Sequence, residues 1–208
     1  NGGAIDWNSS AGYLYHSEFN NNKAQYGGAV FVGASTDYGH CYNNTYTNNR
    51  AEFNGGAIDW NATRGNMTGS WFYNNVAGHN GGAIFVGAHG DSGEIINATF
   101  VGNRANSDTG RGGAVDWFAA GEIINSTFTD NRAAYGGAVF VGKHGSNGNI
   151  TNCNFTNNVA THNGGAIDWN ATTGTLSSST FKYNTADYGG AVFRGAEAIN
   201  GAGYNNDD

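Results

Sequence analysis

Asn54-Gly55-Gly56-Ala57-Ile58-Asp59-Trp60 and Asn80-Gly81-Gly82-Ala83-Ile84-Phe85-Val86-Gly87 are two versions of one phrase, and that phrase decides the fold. Gly-Gly-Ala-Ile/Val occurs eight times, with first glycines at Gly2, Gly27, Gly55, Gly81, Gly112, Gly136, Gly164 and Gly189 and spacings of 25, 28, 26, 31, 24, 28 and 25 residues. A period in this range marks a solenoid, in which each repeat is one coil that buries its apolar side by stacking on the next. The copies alternate. Odd copies continue into Asp-Trp (Asp6, Asp59, Asp116, Asp168), and even copies into Phe followed by Val or Arg and then Gly (Phe31, Phe85, Phe140, Phe193).

A second phrase follows each Gly-Gly-Ala: an aromatic residue, two variable residues and Asn, at Phe19/Asn22, Tyr46/Asn49, Phe72/Asn75, Phe100/Asn103, Phe128/Asn131, Phe155/Asn158 and Phe181/Asn184. An alanine stands two residues after each of these asparagines. Short β-branched and aromatic runs bounded by Gly, Asn and Ser read as strands, and no helical period is sustained. The expected fold is all-β, a right-handed parallel β-helix of about eight coils, forming one domain over residues 1–208. Three sheets should run its length of about 38 Å at the usual strand spacing. Within a coil, Ile/Val and the Phe of the second phrase should stack inward, and its Asn should bond along the stack. The competing architecture is a kelch-type propeller of ~50-residue period. Against it, both halves of each two-coil unit carry the same two phrases.

Composition agrees with a stack. Proline is absent, as expected where a ladder claims nearly every N–H. Leucine occurs only at Leu14 and Leu176, which excludes a leucine-rich repeat. The net charge of −7 argues against nucleic acid as a partner. No stretch reads as a membrane span or signal peptide. Cys41 and Cys153 lie four coils apart, roughly 19 Å at β spacing, so both are expected to be free, buried thiols.

The paired phrases, with stretches such as Asn97-Ala98-Thr99-Phe100 and Ser178-Ser179-Thr180-Phe181-Lys182-Tyr183-Asn184-Thr185-Ala186, resemble the repeats of chlamydial polymorphic membrane proteins and of adhesin-like surface proteins of methanogenic archaea. The resemblance extends over nearly the whole chain and implies an extracellular, cell-surface β-helix, with adhesion the usual assignment. The strict Asp-Trp/Phe alternation departs from those families. So does the lack of an autotransporter barrel segment, which makes the archaeal proteins the closer comparison.

Candidate sites are few. Nine Asn-x-Ser/Thr sequons, at Asn8, Asn43, Asn61, Asn66, Asn97, Asn125, Asn149, Asn154 and Asn170, are candidate glycosylation sites. Asn8, Asn61 and Asn170 follow the odd-copy Trp in an expected exposed loop and lead the group; the others share the strand phrase itself. The residues Asp6, Asp59, Asp116, Asp168, Phe31, Phe85, Phe140 and Phe193 should form an outward ladder, fixing register and solubility or offering a polar–aromatic surface to glycans. Aspartates two coils apart, ~9.6 Å, are too distant to share a metal. His79, His89, His144 and His162 lack partners at ligand spacing, so no metal or cofactor is expected. Arg104, Arg132, Lys23 and Arg50 read as a solvated edge. A polysaccharide-cleaving enzyme of the pectate lyase type needs acids and a base in a cleft. The only clear interruption, Asn106-Ser107-Asp108-Thr109-Gly110-Arg111, offers one Asp and one Arg. The expectation is therefore a non-enzymatic surface protein, an adhesin segment or a filament or sheath subunit, partnered by itself, by glycans or by another cell. The first residues already match mid-repeat, and Tyr204-Asn205-Asn206-Asp207 reads as a weakened final aromatic-x-x-Asn, so head-to-tail self-association through open coil ends is also expected.

Overall fold

The computed structural model describes residues 1–195 apart from 10, 37, 88–92 and 144–147. It is an all-β parallel solenoid of about seven turns, with no helix among the described residues. The residues expected to close an eighth coil, around Tyr204 to Asp207, lie outside those described, as do His89 and His144.

Four sheets run along the column, where three were expected; they contain eight, seven, seven and six strands. The first is the Gly-Gly-Ala sheet, from Ile5–Trp7 to Val192–Arg194. The second, from Gly12–Tyr15 to Gly174–Ser177, arises within the stretch that reads as a variable loop. Its inward position holds Leu14, Cys41, Met67, Ile95, Ile123, Ile150 and Leu176, which share apolarity but no motif. The third carries the aromatic phrase, from Glu18–Asn20 to Thr180–Lys182. The fourth is built mostly of two-residue strands such as Arg50–Ala51 and Arg104–Ala105, and each of those turns one alanine inward.

Two ladders fix the register. The rings of Phe19, Tyr46, Phe72, Phe100, Phe128, Phe155 and Phe181 stack face to face with centroids 4.7 to 5.0 Å apart. Beside them runs the expected asparagine ladder. Asn103 Nδ2 donates to Asn131 Oδ1 at 3.0 Å and to the Phe72 carbonyl at 3.0 Å, while its Oδ1 accepts from the backbone N–H and Nδ2 of Asn75. Both amide groups are thus satisfied without a charge in a site that excludes water.

The two glycines of each corner do different work. Gly112 sits at φ +60°, where a side chain is disfavoured. Its neighbour Gly113 needs space instead: a Cβ there would lie 2.0 Å from the carbonyl oxygen of Gly137 in the next coil. At the other corners, asparagine often supplies the left-handed residue, at Asn43, Asn97, Asn125 and Asn152 in one row and at Asn21, Asn48, Asn74 and Asn157 in another. Three sequons begin in the first of these rows, so turn geometry explains part of their number.

Whereas Trp71 on the third sheet is exposed, the tryptophans of the four Asp-Trp phrases point inward, each opposite a valine or Arg194 of the adjoining coils. Each indole occupies room left by the glycine that opens the following stretch: a Cβ at Gly65 would lie 2.2 Å from Trp60, and one at Gly121 2.4 Å from Trp117. Cys41 and Cys153 are free and buried, and burial pushes their thiols up to about 12 and 11.

Candidate functional site

The outward face of the first sheet carries the Asp/Phe ladder in unbroken register: Asp6 beside Phe31, Phe31 beside Asp59, Asp59 beside Phe85, and so on to Asp168 beside Phe193. It is not the solvated row that solubility would require. Asp59, Asp116 and Asp168 are only 2%, 0% and 1% exposed. Their cover comes from a neighbour two residues on and from the next coil. Asn61 Nδ2 donates to Asp59 at 2.6 Å, Asn170 to Asp168 at 2.7 Å and Asn8 to Asp6 at 2.6 Å. Each of these asparagines lies over the glycine of the next Phe copy, where a Cβ at Gly33, Gly87 or Gly195 would come within 2.0 Å of its Oδ1. That glycine is how the even phrase makes room for the odd one. Burial pushes the carboxyls of Asp59 and Asp168 up to about 7, against the pull of the Asn61 amide on one and of the Asn170 and Asn163 amides on the other.

Of the three sequon asparagines expected in an exposed loop, Asn8 is exposed and Asn61 and Asn170 are not. Asn61 and Asn170 are half-buried with their amide nitrogens engaged, as are Asn66 and Asn149 in exposure, whereas Asn8, Asn43, Asn97, Asn125 and Asn154 are exposed. Asn149 Nδ2 also donates to Glu122, at 2.9 Å.

The fifth coil breaks the pattern. Phe118 stands where Asn8, Asn61 and Asn170 stand in the other odd copies, and Arg111 replaces the Asn that precedes Gly-Gly at Asn54 and Asn163. Arg111 Nε lies 3.4 Å from Asp116 Oδ2, and its guanidinium is stacked 4.6 Å from the Phe118 ring and 5.0 Å from that of Phe140. Burial pushes Asp116 up to about 7, with Arg111 opposing. Arg111 is thus turned away from any pairing with Asp108, which is exposed on the loop.

Here the fourth sheet widens to Arg132–Tyr135 and Val159–Asn163, with a register shift between Ala133 and Tyr135. The longer strands and the inserted loop wall a groove of about 480 Å³ over the ladder. Phe140, Asp168 and Asn170 line it from the ladder face, Asn80, Arg111, Tyr135 and Asn163 line it as neighbours in one row of successive coils, and His79 and Thr109 complete the lining. Sequence reading found Asp168, Phe140 and the insertion separately, but not that the fold brings them together. His79 and His162 stay apart from ligand partners, His162 lying 5.0 Å from the Tyr135 ring. Among the described residues, no three His, Cys, Asp or Glu side chains gather as a metal would require.

The fold and its ladders define a parallel β-solenoid of stacked Gly-Gly-Ala and Phe-x-x-Asn coils. Residues 72–87, 125–142 and 152–168 match the Chlamydia polymorphic membrane protein repeat, each match spanning the aromatic phrase, the asparagine ladder and the Gly-Gly corner. Of the two families that the sequence resembles, the match is to the chlamydial one, whose membrane-protein repeats agree with a surface-type β-helix. No curated protein and no solved structure matches the chain. No helix among the described residues is long and apolar enough to cross a membrane.

Proposed function

We propose that the chain is part of an extracellular surface protein and acts without catalysis, as a stiff column that presents an adhesive contact face. The observation that carries this reading is a division of labour in the residues. The inward aromatic and asparagine ladders run without a break from Phe19 and Asn22 to Phe181 and Asn184. Departures from the repeat gather on the outside, at Arg111, Phe118 and the 106–111 loop, around one groove. A stack that keeps its spine constant and varies one face serves recognition. Right-handed winding follows from the strong preference of parallel crossovers for that hand. An eighth coil would follow from the eighth strand of the first sheet, Val192–Arg194.

Beads coated with the chain should adhere to cell monolayers more than beads coated with a β-solenoid of unrelated sequence, and incubation with polysaccharides should release no reducing ends. Equal adhesion of the two coatings, or reducing-end release abolished by Asp168→Asn, would overturn the reading.

A further inference from the structure

We propose that the groove over Phe140 is a binding site for a neutral oligosaccharide, resting on the contact role above and naming its place and ligand class. Its volume of about 480 Å³ lies within the range of small-molecule sites, about 300–1,000 Å³. Phe140, only 8% exposed, has the Arg111 guanidinium 5.0 Å over its ring. Tyr135, half-buried, supplies apolar ring surface for the C–H face of a sugar. Asn163, Asn170 and Arg111 supply planar polar groups around it, the mixture of donors and acceptors that a hydroxyl, itself both, can satisfy.

Arg111 is the most pointed of these. Its guanidinium lies over both Phe118 and Phe140, 4.6 and 5.0 Å from their ring centroids, its Nε is turned to Asp116, and its side chain remains 32% exposed. The guanidinium lines the groove and carries five N–H donors in a rigid fork, more than its contact with Asp116 uses. Asp116 already pairs with the one guanidinium of the lining, so among the described residues no unpaired arginine or lysine charge is left there to hold an anionic ligand.

The fold does not ask for this site. The other odd coils close the same position with asparagines before Gly-Gly and after Trp, as at Asn54 and Asn61. The coil with Arg111 and Phe118, next to the two long strands of the fourth sheet, opens into the groove instead.

Saturation-transfer NMR of the 208-residue chain with maltotriose, cellotriose, xylotriose, laminaritriose and trigalacturonate tests the site. At least one neutral trisaccharide should give transfer. Its affinity should fall at least tenfold in Tyr135→Ala and stay unchanged in Tyr13→Ala, which removes an exposed aromatic from the second sheet. If Tyr135→Ala does not fold, Thr109→Trp, which fills the groove mouth from an exposed loop position, should abolish the transfer. Transfer from none of the neutral sugars, transfer from trigalacturonate alone, or undiminished binding in both groove variants would overturn the proposal. Saccharide binding without bead adhesion keeps the site and removes the adhesive role, and bead adhesion without saccharide binding does the reverse.

Discussion

Arg111 Nε stands 3.4 Å from Asp116 Oδ2, and it does so in the one Asp-Trp coil that lacks the asparagine used by Asp6, Asp59 and Asp168. A buried carboxylate has been re-partnered, from a neutral amide two residues on to a charged side chain from the preceding corner.

That exchange makes Arg111→Met costly for a residue with an exposed edge. Asp116 would keep its burial and lose its partner, at a cost of about 2 kcal/mol. Urea unfolding at pH 8 measures the loss. Adding Asp116→Asn to Arg111→Met should recover most of it, because the buried group no longer carries charge. Failure of the second substitution to recover stability would show that Arg111 acts through packing on Phe118 and Phe140.

Stability should fall as pH rises from about 4 to about 7. The carboxyls of Asp59, Asp116 and Asp168 are each raised to about 7 in the folded chain, against an unfolded value of about 3.9. In that window the folded state holds protons that the unfolded state has released, so raising the pH favours unfolding. Melting temperatures across pH 4 to 8 report this slope, and Asp59→Asn should flatten it. A melting temperature that climbs through the window would contradict the burial of these groups.

The asparagine ladder predicts an unequal pair of alanine substitutions. Asn103→Ala removes two donated and two accepted side-chain bonds in a fully buried site and should cost about 4 kcal/mol, near the top of the single-substitution range. Asn22→Ala at the first rung loses the bond that its Nδ2 donates to Asn49 and should cost about 1 kcal/mol. Chemical denaturation of both variants decides whether rung position sets the cost.

Glycosylation should follow exposure and amide engagement. In a host that modifies Asn-x-Ser/Thr, mass spectrometry should find glycans at Asn43, Asn97 or Asn154 and none at Asn61 or Asn170, whose amides are held by Asp59 and Asp168. Occupancy at Asn61 or Asn170 would mean that those amides are released before the coil closes.

The legible parts of this molecule were those in which one residue type does the same job in every coil. The double glycine, the stacked Phe and the ladder Asn are each dictated by contact with their own counterpart above and below, so they recur at the repeat period. The second sheet escapes because any apolar side chain fills its inward position, from Leu14 to Cys41 to Met67. The fourth escapes because a two-residue strand with one inward alanine carries almost no pattern. The covered aspartates escape for another reason: the signal is a pair such as Asn61 and Gly87, meaningful only once two coils are laid in register. The groove needed Arg111, Phe118, Tyr135 and Asp168 placed together, across coils of unequal length.

The register of the first sheet also sets a rule for how such a column can lengthen or shorten over evolutionary time. Asp116 lies between Phe85 and Phe140, and Asp168 between Phe140 and Phe193. Duplicating or deleting one coil would place two aspartates side by side at about 4.8 Å, both shut away from water, or two phenylalanines with no asparagine to fill the notch above their glycines. Duplicating or deleting two coils disturbs neither. The unit of growth is therefore the couplet, and viable length variants should differ by even numbers of coils.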